Sequence, residues 1–130
     1  MPVGQFAEVS ADYTLIWLDS TAIVGGHNNA LTNGKFAIRL DEIVGYNDDT
    51  IPHSFDVGTT RDGTAVIFSF TVPAGAGTPG VPPWSLVGSG HLPGLSSINF
   101  SWNAQLDFRL REAINAPHHV GISVFGGYFE

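Results

Sequence analysis

The sequence predicts an all-β protein, an antiparallel β-sandwich or jelly roll, and three observations carry that prediction. Over residues 98–111 the side chains alternate strictly between apolar and polar. Further β-branched and aromatic runs recur at short spacing, separated by Gly, Asn and Asp. Almost nowhere does a helical period compete with them. About seven or eight strands in this pattern fit two packed sheets, with a small closed β-barrel as the alternative.

The long alternating run is the strongest element. Ile98, Phe100, Trp102, Ala104, Leu106, Phe108 and Leu110 fall on one side of an extended chain, with Asn99, Ser101, Asn103, Gln105, Asp107, Arg109 and Arg111 on the other. At about 3.3 Å per residue the run would reach ~45 Å, so a bulge, a bend or a strand shared between two sheets is expected. Its large apolar side chains, at ~1.5 to 3 kcal/mol each, stabilise by on the order of 10 kcal/mol before chain entropy is subtracted. Such a face must meet a second sheet or close on itself. In a sandwich the opposite, polar row would face solvent.

The remaining elements follow in chain order. Residues 13–18 (Tyr-Thr-Leu-Ile-Trp-Leu) are β-branched and aromatic at both parities, which predicts a strand buried on both sides. Asn33-Gly34 precedes an alternating run over 35–40, a hairpin signal because Asn-Gly tolerates the positive φ angles of a type I′ turn. Residues 53–57 and 65–72 form a second hairpin pair, with Asp62-Gly63 supplying the turn. Residues 120–125 close the series with Ile122 and Val124 on one side. A helical alternative exists only over 106–114, and the upstream alternation limits it to a turn near 111–115.

Between 73 and 95 the character changes. Pro73, Gly75, Gly77, Pro79, Gly80, Pro82, Pro83, Gly88, Gly90, Pro93 and Gly94 punctuate the segment, so a long Gly/Pro-rich loop is expected there. Trp84 in its middle is either an anchor that pins the loop onto the core or an exposed platform for a ligand.

One all-β domain over 1–130 accounts for the length. With 43% hydrophobic and 12% aromatic residues the chain can build a core without disulfide or metal, and it has no cysteine. No basic segment followed by an apolar block opens the sequence, and no run approaches the ~20 apolar residues of a membrane helix, so a soluble protein without membrane insertion is expected. Compartment is left open.

Charge excludes whole classes of partner. Five Lys+Arg against twelve Asp+Glu leave a formal net charge of -7. Gripping a phosphate backbone takes several convergent cations, so nucleic acid is not an expected partner, and anionic membrane surfaces are disfavoured for the same reason.

The motif search mostly excludes. Gly75-Ala-Gly77-Thr-Pro-Gly80 has the G-x-G-x-x-G spacing, but Pro79, Pro82 and Pro83 forbid the helix whose N-terminus would hold a pyrophosphate. Asn99-Phe-Ser101 has the form of a glycosylation sequon inside an expected strand. His27, His53, His91, His118 and His119 offer no i, i+2 pair for a β-type metal site, and Asp48-Asp49 lacks the spacing of an EF-hand loop. No cofactor, metal or catalytic residue is expected.

Two groups have the composition of a binding site. Tyr46, Asn47 and Asp48 with their neighbours, and the loop carrying Trp84 and His91, both combine aromatic and short polar side chains. Neutral sugars need that combination: a ring to stack on, and carboxylate or amide groups for their hydroxyls. The first functional expectation is therefore a non-catalytic, lectin-like glycan-binding domain using Tyr46, Asn47, Asp48, Trp84 and His91. The second is a structural or assembly protein of a virion, fibre or decoration, with copies of itself as partner in a homo-oligomer. The third is a small barrel enzyme acting on an apolar substrate, for which nothing places acid and base groups together.

Overall fold

Alternation in the sequence becomes two antiparallel sheets. The computed structural model describes residues 9–30, 38–58, 66–87, 99–100 and 106–129. Among them the regular elements are nine strands and no helix: β1 (Val9–Asp19), β2 (His27–Ala30), β3 (Ile38–Asn47), β4 (His53–Gly58), β5 (Phe68–Val72), β6 (Trp84–Val87), β7 (Asn99–Phe100), β8 (Leu106–Leu110) and β9 (His119–Phe129). The first sheet runs β1-β9-β3-β6, with β7 also paired to β3, and the second runs β2-β8-β4-β5. They pack as a sandwich and do not close into a barrel. No helix among the described residues is long and apolar enough to cross a membrane.

The core lies between the sheets. Ile16, Leu40, Ile43, Val120, Ile122 and Val124 face inward from the first sheet and meet Phe55, Val57, Phe70, Val72, Leu106, Phe108 and Leu110 from the second, all of them buried. Phe70 is the hinge of this packing: it stacks on Phe55 at 5.4 Å and on Trp84 at 5.3 Å, and meets Phe108 edge-on at 6.1 Å. The alternation of 106–110 is read correctly by the sequence, since Leu106, Phe108 and Leu110 share the inner face. Residues 53–57 and 68–72 likewise pair as expected, Phe55 opposite Phe70. Asp62-Gly63 lies outside the described residues, as do Ile98, Trp102 and Ala104.

Several expectations are corrected. The run 98–111 does divide between the two sheets, as expected from its length, β7 pairing with β3 in the first and β8 with β2 and β4 in the second. Its polar row, however, is not simply exposed, because Asp107 is buried against His27 and Arg109. The strands flanking Asn33-Gly34 are β2 and β3, which belong to different sheets and do not pair as a hairpin. The segment 73–95 is not loop throughout, since Trp84–Val87 adds a strand along β3. No helical turn forms at 111–115.

The correction with functional weight concerns β1. It is an edge strand in its sheet, and among the residues of β1 whose burial is described only Ile16 is buried. Tyr13, Leu15 and Trp17 point outward and are 49%, 51% and 56% exposed. An edge strand covered by one layer has one dry face, and apolar residues at both parities hide which face that is.

Candidate functional site

The outer face of the first sheet is built in rows across three strands. Trp17 of β1 is in register with Gly121 of β9, which is in register with Tyr46 of β3. The next row is Leu15, Ser123 and Val44; the one beyond it is Tyr13, Phe125 and Glu42. Directly opposed residues project to the same side of a sheet, so these nine positions share one face.

Tyr46 reaches that face through a β-bulge. The pairing of β3 with β9 shifts register between Leu40 and Glu42. Leu40 and Ile43 both face the core, and the phase then continues with Gly45 and Asn47 inward and Val44 and Tyr46 outward. Without the extra residue the strand would turn Tyr46 into the core.

Two glycines seat the two rings. A Cβ at Gly121 would lie 2.3 Å from Trp17 Cε3, so only glycine lets the indole lie down over β9. There it stacks on the His119 ring at 5.5 Å and 20°. A Cβ at Gly77, where φ is +79°, would lie 2.6 Å from Tyr46 Cδ1. Between these seated rings opens a cleft of about 250 Å³, lined by Trp17, Tyr46, Asn47, Asp48, Ala76, Gly77, Thr78, Pro79 and His119.

The wall carrying Gly77 and Thr78 is held by hydrogen bonds, not by a regular element. Asn47 N donates to Ala76 O at 2.8 Å, Gly77 N to Pro82 O at 3.2 Å and Val81 N to Thr78 O at 2.8 Å. The Thr78 hydroxyl donates to Gly75 O at 2.6 Å and keeps its lone pairs for an incoming donor.

Asp48 supplies the charge. Its Oδ1 accepts the His119 backbone N–H at 2.6 Å, and its own N–H donates to His119 O at 3.1 Å. The carboxylate stays half exposed, with the ring nitrogens of His118 and His119 at 3.5 and 3.9 Å.

Behind this surface a buried polar knot fixes the loop after β3. Asn47 donates from Nδ2 to Ile51 O at 2.9 Å and Val72 O at 3.1 Å, and its Oδ1 accepts Asp49 N–H at 2.9 Å. Asp49, also buried, accepts Asn115 N–H at 2.9 Å, Thr50 N–H at 2.7 Å and Asn115 Nδ2 at 3.2 Å, and lies 2.8 Å from His53 Nε2. Burial alone would push the Asp49 carboxyl up; the backbone N–H of Asn115, the His53 ring and the N–H of Thr50 outweigh it and hold the group well below the usual carboxylate range. The other ring nitrogen of His53 is 3.2 Å from Glu112 O.

The sequence-derived site residues therefore divide. Tyr46 and Asp48 meet in the cleft. Asn47 also lines the cleft, with its amide engaged by the backbone. Trp84 is on the inner side of β6, stacked on Phe70, which makes it the anchor of the two roles considered for it. His91 lies outside the described residues. Trp17, His119 and Thr78 were missed. The usable signal for Trp17 was Gly121, a residue without a side chain in the middle of a strand run, which marks a close approach.

Among the described residues no three His, Asp or Glu side chains converge as a metal site. Fold and cleft together define an antiparallel β-sandwich with an aromatic and acidic depression on one outer face. No protein family matches the chain and no curated protein matches its sequence, so the reading of function rests on this geometry.

Proposed function

We propose that the protein is a non-catalytic binding module for neutral glycans, with Trp17 and Tyr46 as stacking surfaces and Asp48 as the principal hydrogen-bond acceptor. The observation that supports this most is the row Trp17, Gly121, Tyr46, in which two rings flank a residue that has no side chain. Apolar faces of a pyranose stack on such rings, and its hydroxyls donate to a carboxylate whose other oxygen is already fixed by the backbone. The cleft is small by the standard of drug-sized sites, which suits one or two sugar rings. An acidic depression among the aromatics disfavours sialylated or sulfated ligands.

Isothermal titration against a panel of neutral mono- and disaccharides tests the reading. Trp17→Ala is expected to weaken binding roughly tenfold or more, about 1.4 kcal/mol, with the thermal melt little changed because the indole is largely exposed. Absence of heat and of chemical-shift change at millimolar sugar would remove the proposal.

A further inference from the structure

Beyond the cleft the same face continues as a second aromatic platform. Tyr13 lies against Phe125 with ring centroids 4.9 Å apart and planes at 35°, and its hydroxyl is 3.3 Å from Ser123 Oγ. Tyr13 and Trp17 are four residues apart on one strand, so the two platforms are about 13 Å apart along β1. Between them the register places Leu15, Ser123 and Val44, none of them charged. Acids occur at the two ends, Asp48 beside Trp17 and Glu42 in register with Phe125.

We infer that the ligand is an extended neutral polysaccharide lying along β1, with one ring on Trp17, a ring further along the chain on Tyr13 and Phe125, and the intervening ring over Leu15. The inference rests on the glycan reading of the cleft and extends it from a single sugar to a chain. Charge selects this occupant. A second copy of the protein would bring another net charge of -7 onto an acid-tipped face, and polyanions are repelled in the same way. An uncharged chain matches the uncharged row, and its hydroxyls are donors for the terminal carboxylates.

The decisive measurement is affinity against chain length. The intact protein, Tyr13→Ala and Trp17→Ala are titrated with neutral oligosaccharides from two to six rings in the cello-, xylo- and chito-series, and each protein is sedimented across concentrations. The expected result is roughly a tenfold gain from two to six rings in at least one series, loss of that gain in Tyr13→Ala with disaccharide affinity retained, and weakening at every length in Trp17→Ala. Should Tyr13→Ala fail to fold, the length series of the unaltered protein still decides. Affinity independent of length overturns the extended site and leaves the glycan reading standing. No binding at any length overturns both, and a dimer dispersed by Tyr13→Ala without sugar binding assigns the face to a second copy instead.

Discussion

Asp49 and Asp56 are two carboxylates displaced in the same direction, downward, in surroundings that differ in every other respect. Asp49 is buried behind the cleft, where its two oxygens share four donors from Thr50, His53 and Asn115. Asp56 sits on the outer face of the second sheet, held down first by Arg111 and then by Ser69, with Nη2 of Arg111 at 2.5 Å and the Ser69 hydroxyl at 2.7 Å. Water already solvates much of the second cluster, whereas nothing replaces the acceptor for the buried donors of the first if the carboxylate goes. The same local chemistry therefore carries structural weight in one place and little in the other.

Substitutions sharpen the contrast, beginning with the largest expected effect. Asp49→Ala strands the buried His53 ring and the N–H groups of Thr50 and Asn115, and is expected to cost about 3 to 5 kcal/mol in urea or thermal unfolding. If the cleft is the glycan site proposed above, it should also weaken sugar binding, because Asp48 and the loop to His119 lose their support. Preserved stability in this variant would show the knot to be ornamental.

Acid reaches the same knot without mutation. The folded Asp49 carboxyl lies below its ordinary value of 3.8, so its contribution is present above that value and fades as pH falls toward the folded one. Unfolding free energy measured from pH 6 to pH 2 should decline below about pH 4, and the decline should be shallower in Asp49→Ala. Equal slopes would assign the acid sensitivity elsewhere.

Asp56→Ala is the small effect. It should lower stability by no more than about 1 kcal/mol, with the loss shrinking in high salt, as expected of an exposed pair. Sugar affinity should not move, since Asp56 lies on the opposite outer face of the sandwich. A loss rivalling that of Asp49→Ala would erase the distinction between the two clusters.

How far the candidate site was legible follows from the same physics. Tyr46 and Asp48 were found because aromatic and short acidic side chains adjacent in sequence remain adjacent when a strand ends in a turn. The Gly and Pro around Trp84 draw it toward a loop reading, yet Trp84 and the three residues after it pair with β3, and its indole stacks on Phe70. Trp17 was hidden by a run apolar at both parities, which reads as a doubly buried strand and is an edge strand with an apolar outer face.

What the sequence by itself determined is local: strand period, the inward set Leu106, Phe108 and Leu110, the pairing of 53–57 with 68–72, and a low, acidic charge. Those follow from side-chain alternation and turn chemistry, which act over a few residues. Tertiary structure alone decided which strand lies at an edge, where the bulge in β3 shifts the phase, and that Trp17, Tyr46, Thr78 and His119 meet. Their meeting depends on pairings between β1, β3 and β9, those of β1 with β9 spanning a hundred residues of chain or more, and only the burial of a shared core selects among such long-range registers.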